Sequence, residues 1–106
     1  KIDSNIHVIQ ENKSVKASWF GIPMMVRQGI NKKIFIKKIE SNGIETRPII
    51  SGNFLNQPSV RKYKLNKGKM KNAEYVNKNG FFIGLPTYIL KKDNLKKIVK
   101  AFEKSL

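Results

Sequence analysis

One arginine and one short turn carry the side chains of this chain that are best suited to binding a ligand. Arg47 stands in an apolar segment. Its planar guanidinium can pair with two oxygens of a carboxylate or phosphate at once, whereas a lysine offers only a point charge. The nearby sequence Ser51-Gly52-Asn53-Phe54 combines a flexible glycine with an amide and an aromatic ring, which suit sugar hydroxyls and a ring face. A rigid scaffold presents a few polar groups to a ligand in this way.

Each of these features also has a simpler interpretation. A surface ion pair with Glu45, two residues earlier, explains Arg47 equally well. The sequence from Ser51 to Phe54 is also typical of an ordinary turn. The aromatic pair at Trp19 is most simply part of the core, although it also fits the wall of an interface or a substrate site. The residue types alone leave these alternatives open.

Catalytic residues are not recognisable in the sequence. His7 is the only histidine, and no cysteine or carboxylate stands at metal-ligand spacing from it, so we interpret it as structural or solvent-exposed. The sequence contains no Ser-His-Asp order, no glycine-rich phosphate loop and no zinc motif. We therefore nominate no catalytic residue and no metal ligand. Taken alone, this chain does not have the pattern of an enzyme.

The formal net charge of +15 raises the question of a polyanionic partner. Most of the basic residues are lysines, and lysine, asparagine and isoleucine dominate the composition, as expected of an AT-rich genome. The aromatic residues lie in apolar runs and are not interleaved with the basic ones as base-stacking platforms. We interpret the lysines as a solvated surface, which disfavours nucleic acid. A free-standing basic domain that binds RNA or other polyanions is the alternative function.

The lack of cysteine and of long apolar runs restricts the cellular location of the protein. The chain has no cysteine, which excludes disulfides and thiolate metal sites and favours an intracellular origin. No apolar run approaches the roughly 20 residues that a membrane-spanning helix needs. The sequence therefore predicts a cytoplasmic protein without a membrane segment. It starts at Lys1 and not at methionine, and we expect a piece of a longer protein.

Hydrophobic periodicity predicts three strands and three helices. Residues 1–13 are polar and irregular and are interpreted as a connector to a domain spanning residues 14–106. Gly43 suits the left-handed position that follows the first predicted helix, and Asp93 is expected to cap the last helix. The predicted elements are the strand Ala17–Val26, a helix from its cap Asn31 to Asn42, the strand Ile44–Ile50, a loop Ser51–Gly68, the helix Asn72–Asn79, the strand Phe81–Leu85 and a helix from Asp93 to Leu106.

This order of elements predicts an α+β fold. We expect a small three-stranded, mostly antiparallel sheet with amphipathic helices covering one of its faces. The last helix follows the helical repeat most closely, through Leu95, Ile98, Val99, Phe102 and Leu106. The opposite face of the sheet also carries apolar side chains, drawn from Trp19, Phe20, Met24 and Met25. Such a surplus is typical of a domain that docks on something larger.

Four motifs occur along the chain in a fixed order. They are the run Ser18-Trp19-Phe20-Gly21-Ile22-Pro23, the passage Asn42-Gly43-Ile44-Glu45-Thr46-Arg47-Pro48, the loop Gly52-Asn53-Phe54 with Gln57-Pro58, and Asn72-Ala73-Glu74-Tyr75 leading to Asn79-Gly80-Phe81-Phe82-Ile83-Gly84-Leu85-Pro86. Together they resemble the small C-terminal domain of the DegT-type sugar aminotransferases and their sugar 3-dehydrase relatives. The resemblance covers almost all of the chain from Ser14 onward.

The resemblance implies a function that the residues alone do not. The family modifies nucleotide-linked keto-deoxysugars, by transamination or 3-dehydration, for surface polysaccharides. Its members use pyridoxal phosphate (PLP) on a large N-terminal domain of the aspartate-aminotransferase type, usually as homodimers. By resemblance, Arg47, Asn53 and Phe54 face the nucleotide-sugar substrate. The Schiff-base lysine, or the histidine that replaces it in the 3-dehydrases, has no counterpart here, so the cofactor domain is expected elsewhere in a longer chain.

Overall fold

The computed structural model describes residues 2–63, 65 and 68–106, with Arg61 described through its backbone only. Along the chain, the described elements are α1 (Ile2–Asn5), β1 (Ile6–Val8), β2 (Gly21–Val26), α2 (Lys32–Ser41), β3 (Thr46–Arg47), two 3-10 helices (Phe54–Asn56 and Pro58–Lys62), α3 (Lys71–Asn79), β4 (Gly80–Gly84) and α4 (Lys92–Ser105). The predicted α+β class is confirmed, with helices and one antiparallel sheet.

The sheet has four strands in the order β1-β2-β4-β3, and every neighbouring pair is antiparallel. The prediction of three strands missed β1, which pairs Ile6 with Val26 and His7 with Met25. The interpretation of the first thirteen residues as an irregular connector is therefore wrong for this strand. Three residues are too few to show an alternating pattern in the sequence. In the folded strand, only Ile6 of the three is buried.

The core lies between one face of this sheet and the helices α2 and α4. The strand register places Met24 opposite Phe81 on that face, and α2 contributes Phe35, the central aromatic residue of the core. The ring of Phe35 lies 5.6 Å from that of Phe81 and 5.9 Å from that of Phe102, measured between centroids. The buried core residues are Ile6, Met24, Val26, Phe35, Ile39, Phe81, Ile83 and Phe102.

The predicted ends of α2 are confirmed. The side chain of Asn31 accepts a hydrogen bond from the backbone N–H of Ile34 at 3.2 Å, which satisfies a free donor of the first turn. After the helix, Gly43 adopts a φ of 85°, a left-handed conformation that glycine enters without steric cost. These two residues fix the direction in which the chain enters and leaves α2, and so place β3 at the edge of the sheet.

Two predicted strands are shorter than expected. The first begins at Gly21 and not at Ala17. The strand predicted over Ile44–Ile50 keeps only Thr46 and Arg47 in the ladder, because Pro48 lacks a backbone N–H and Ile50 turns the chain with a φ of 33°. The loop predicted after it contains both 3-10 helices, while its residues Lys64, Asn66 and Lys67 lie outside the described residues.

Helix α4 lacks the predicted cap, and only part of its predicted apolar stripe is buried. Its first residue is Lys92, and Asp93 lies in the first turn, 3.9 Å from the ammonium of Lys96, without capping the helix. The side chains of Leu95 and Val99 are 47% and 48% exposed, although both belong to the predicted apolar stripe. The buried residues of this helix are Ala101, Phe102 and Ser105. Part of the stripe therefore faces outward.

One lysine joins α2 to the end of α3. The ammonium of Lys32 donates hydrogen bonds to the backbone carbonyls of Asn77 and Gly80, each at 3.0 Å. Burial lowers the pKa of this amine, because the charged form loses hydration. The two carbonyl contacts compensate for that loss, so Lys32 holds the junction of α3 and β4 against α2.

We expect Lys32→Met to lower the free energy of unfolding by about 0.5–1.5 kcal/mol, because two carbonyl oxygens lose their donor. Urea denaturation followed by circular dichroism measures this loss. Lys33→Met is the matched control, since Lys33 is the next residue and is exposed. Its effect should stay within about 0.5 kcal/mol. Equal losses in the two variants would show that the contacts of Lys32 do not stabilise the junction.

Candidate functional site

An open groove of about 700 Å³ runs beside β3 and contains Arg47. Its walls are mainly apolar. They come from β3, β4 and the residues on either side of β3, including Pro48 and Ile50, with Phe20 before β2 and Ile98 of α4. The strand register explains the position of the arginine, since Arg47 pairs with Phe82 on the face of the sheet opposite to the core. A concave surface with apolar walls and a few polar groups is the usual form of a small-molecule site.

The aromatic wall of this groove is exposed to solvent. The ring of Phe20 meets that of Phe82 edge to face, with 5.5 Å between centroids and an interplanar angle of 81°. Even so, Phe20 is 73% exposed, and Trp19 beside it is 43% exposed. The expectation that some of Trp19, Phe20, Met24 and Met25 lie on the face opposite to the core is confirmed for Phe20, whose ring contacts that of Phe82, whereas Met24 lies in the core. The exposed rings are available to a ligand or another surface.

Arg47 forms the ion pair with Glu45 that the sequence allowed as its simpler interpretation. Both side chains remain largely exposed, at 64% and 73%. An exposed pair of this kind is worth about 0–1 kcal/mol, because solvent screens the two charges. The guanidinium is therefore held only weakly, and an anionic ligand in the groove can compete for it. The observed ion pair does not exclude ligand binding by Arg47.

Asn53 and Phe54 lie away from the groove that contains Arg47. The side chain of Asn53 is only 7% exposed; its amide nitrogen donates to Glu74 at 2.9 Å, and its oxygen accepts from the backbone N–H of Leu55 at 3.2 Å. Asn53 lines a second cavity of about 360 Å³. Phe54 is 61% exposed and is not among the residues that line either cavity. The structure thus separates Arg47 from the turn.

Sequence reasoning did not single out Glu74, which organises this turn. One of its oxygens, Oε2, accepts hydrogen bonds from the side-chain amides of both Asn53 and Asn56, the second at 2.8 Å. These two bonds, with the positive charge of Lys78 nearby, lower the pKa of the Glu74 carboxyl. Glu74 does fall within a motif of the family resemblance, but neither periodicity nor spacing indicated that it contacts residues about twenty positions earlier.

The turn is also held at its base. The side-chain amide of Gln57 donates to the backbone oxygen of Ser51 at 2.8 Å. Gly52 has a φ of 57°, a conformation that glycine enters without steric cost, and a Cβ at this position would crowd the side chain of Asn77. Ile50, at the rim of the groove, has a positive φ that is strained for a β-branched residue. The backbone between the two cavities is therefore tightly determined.

The amine of Lys32 is not free to form a Schiff base with PLP, because it donates to two backbone carbonyls where α3 meets β4. Nor does the described part of the chain contain a group of three or more histidine, aspartate or glutamate side chains that could hold a metal ion. Within the same residues, no helix is long and apolar enough to cross a membrane.

Comparison with known proteins gives this fold a family. The model of the DegT/DnrJ/EryC1/StrS aminotransferase family matches residues 2–103, almost the whole chain. The chain therefore belongs to this family, which confirms the resemblance inferred from its four motifs. The match also includes β1, which the resemblance had left out.

The similar curated proteins are sugar dehydratases. The chain is 37% identical over 78 residues to the GDP-4-keto-6-deoxy-D-mannose 3-dehydratase of Escherichia coli O55:H7, an alignment that covers 70% of this chain and 20% of that protein. It is 33% identical over 85 residues to the enzyme of the same name from Yersinia pseudotuberculosis, covering 76% of this chain and 22% of that protein. The chain thus spans about a fifth of these relatives.

Solved structures of such enzymes share the fold. The E. coli GDP-4-keto-6-deoxy-D-mannose-3-dehydratase with bound hydrated PLP superposes with a TM-score of 0.78 at 33% identity, over 92% of this chain and 25% of that one. A mutant of GDP-4-keto-6-deoxymannose-3-dehydratase (ColD) with bound GDP-perosamine superposes with a TM-score of 0.77 at 31% identity, over 96% and 26%. In both cases the chain corresponds to about a quarter of the enzyme.

Proposed function

We propose that this chain is the small C-terminal domain of a PLP-dependent enzyme that removes the 3-hydroxyl group of a nucleotide-linked 4-keto-6-deoxysugar. The observation that carries the proposal is the agreement of fold and sequence over almost the whole chain with enzymes named as GDP-4-keto-6-deoxymannose 3-dehydratases. Transamination is the other reaction that the family name includes. The names of these relatives favour 3-dehydration.

The residues of this chain supply substrate contacts and not the cofactor site. PLP, when bound by the rest of a longer chain, supplies an electron sink for the reaction at the sugar. Arg47 would pair with an anionic group of the nucleotide-sugar, and Phe20 and Phe82 would line the groove beside it. Phe54 would present a ring face, and Asn53 would act from inside the turn, because its amide is already occupied there.

The wider setting belongs to the same proposal. We expect a cofactor domain on the N-terminal side of this one in the same chain, a homodimer, a cytoplasmic location and a role in surface polysaccharide synthesis. Exposed rings such as Phe20 supply the apolar surface that an adjoining domain would cover. The net charge of +15 requires no nucleic acid in this setting, since lysine-rich surfaces also serve solubility.

A longer chain that carries this domain should bind PLP and convert a GDP-linked 4-keto-6-deoxysugar to its 3-deoxy product. Mass spectrometry of the nucleotide-sugar and the cofactor absorbance measure the two activities. The 106-residue chain is the control: borohydride reduction with PLP should trap only scattered lysine adducts on it. One stoichiometric adduct at a single lysine of this chain would contradict the division of roles. RNA binding that persists above about 200 mM salt would instead support a polyanion-binding domain.

A further inference from the structure

We propose that Glu74 is a positioning residue, whose carboxylate fixes residues 51–57 and so holds Phe54 in place as a contact for the substrate. We call residues 51–57 the clamped loop. The part of this inference that concerns the substrate rests on the function proposed above. The part that concerns the loop rests on contacts within this chain.

The side-chain amides of Asn53 and Asn56, which lie before and after Phe54 in the sequence, donate hydrogen bonds to the same oxygen of Glu74. Oε2 of Glu74 accepts from Nδ2 of Asn53 at 2.9 Å and from Nδ2 of Asn56 at 2.8 Å. Phe54 lies between these asparagines in the sequence, on the short 3-10 helix Phe54–Asn56. The backbone at Phe54 therefore cannot move away from α3 unless at least one of the two bonds breaks. Hydrogen bonds to a charged acceptor are the stronger kind, so the carboxylate is suited to this task.

The remaining polar groups of the loop point to positioning and not to direct ligand contact. Asn53 is nearly buried, and its side-chain oxygen is used to cap the 3-10 helix through the backbone N–H of Leu55. Gln57 closes the base of the loop by its bond to the backbone oxygen of Ser51. In contrast, Phe54 is 61% exposed, although residues on either side of it are held by side-chain hydrogen bonds. An exposed aromatic ring on a well-determined loop is the arrangement that a ring-binding contact needs.

The charges around Glu74 all favour its ionised form. Lys69 and Lys71 line the same cavity as Glu74, and Arg27 and Lys78 line the adjoining one. Hydrogen bonds from the two asparagines and the charge of Lys78 lower the pKa of the carboxyl. The stabilisation of the loop should thus be fully present above the ordinary pKa of glutamate, about 4.3, and be lost as pH falls through the lowered pKa of the folded state.

Glu74→Gln tests the clamp in the chain itself. We expect backbone amide exchange at Leu55 and Asn56 to rise about tenfold at pH 7, because the neutral amide is a weaker acceptor and cannot draw in both asparagines as the carboxylate does. The side-chain amide signals of Asn53 and Asn56 should titrate with a midpoint below about 4.3 in the native chain and lose that titration in the variant. Glu103→Gln, which neutralises an exposed carboxylate on α4, is the matched control and should change neither signal.

A reciprocal exchange distinguishes positioning from a general loss of stability. The double variant Glu74→Gln with Asn53→Asp moves the carboxylate to the loop and the amide to α3, so each hydrogen bond keeps a donor and an acceptor. Exchange at Leu55 should return to within about threefold of the native rate, since the capping oxygen is also retained. If Glu74 only adds negative charge to α3, the double variant should remain as mobile as the single one.

The functional part requires the longer PLP enzyme. Glu74→Gln should raise KM for the nucleotide-sugar about three- to tenfold and change kcat by less than about twofold, and the double variant should restore KM. Unchanged exchange in the chain, or increased exchange with an unchanged KM, would overturn the inference. If the native longer enzyme does not act on nucleotide-sugars, the proposed function fails, and with it the part concerning the substrate. The exchange measurement still decides whether Glu74 holds the loop.

Discussion

Phe35→Ala should lower the free energy of unfolding of this chain by about 3–5 kcal/mol, because it removes a buried aromatic ring from the core and leaves a cavity. Phe35 is 2% exposed, and its ring contacts those of Phe81 and Phe102. Domains of this kind have total stabilities of about 5–15 kcal/mol. The variant should therefore be partly unfolded near body temperature, which thermal and urea denaturation would measure.

A matched substitution on the same helix shows whether the position or the helix is responsible. Ile34→Ala removes an apolar side chain from the next position of α2, but Ile34 is 55% exposed. Its effect should stay within about 0.5–1 kcal/mol, because little buried surface is lost and alanine favours the helix. Similar losses for the two variants would mean that α2 does not bury Phe35 against the sheet as described.

The parts of the fold that the sequence predicted are those that short-range chemistry determines. Asn31 caps α2 through a backbone group three residues away, and Gly43 follows the same helix in a left-handed conformation. Both effects operate within one turn and depend little on the rest of the molecule. The position of β4 was likewise evident from an apolar run that follows a glycine and ends before Pro86.

The parts that the sequence did not predict depend on partners far along the chain. Strand β1 forms because Ile6 pairs with Val26 of β2, twenty residues later in the sequence. Strand β3 is limited to two residues by Pro48 and by the backbone conformation of Ile50. For α4, periodicity located the helix, but it could not show that the core covers only part of the stripe and leaves Leu95 exposed. Each of these features follows from tertiary packing, which a local pattern does not contain.

In the candidate site too, the sequence indicated the residue types but not the contacts between distant residues. Arg47 stood out because arginine in an apolar strand is unusual, and it does line a groove. The turn stood out by its residue types, but the amide of Asn53 is used inside the loop. Its partner Glu74 lies on α3 and is ordinary in sequence, so only the structure connects them. The roles of Arg47, Asn53 and Phe54 toward a substrate stay predictions.

In the longer PLP enzyme proposed above, Arg47→Lys should reduce kcat/KM for the nucleotide-sugar roughly ten- to hundredfold. Lysine keeps the positive charge and much of the side-chain stem but loses the paired planar donors that a phosphate or carboxylate accepts. Loss of one charge-assisted contact costs on the order of 1.5–3 kcal/mol, which gives the stated range. Steady-state kinetics and the melting temperature should be measured on the same variant.

The control for Arg47→Lys is Arg27→Lys, because Arg27 is also exposed and its known contact is with the backbone oxygen of Asp3. This variant should leave kcat/KM within about twofold of the native value. If Arg47 serves only its ion pair with Glu45, Arg47→Lys should cost at most about 1 kcal/mol of stability and leave turnover unchanged, since an exposed pair is screened by solvent. That outcome would remove Arg47 from the substrate site while leaving the fold and the family of the chain unaffected.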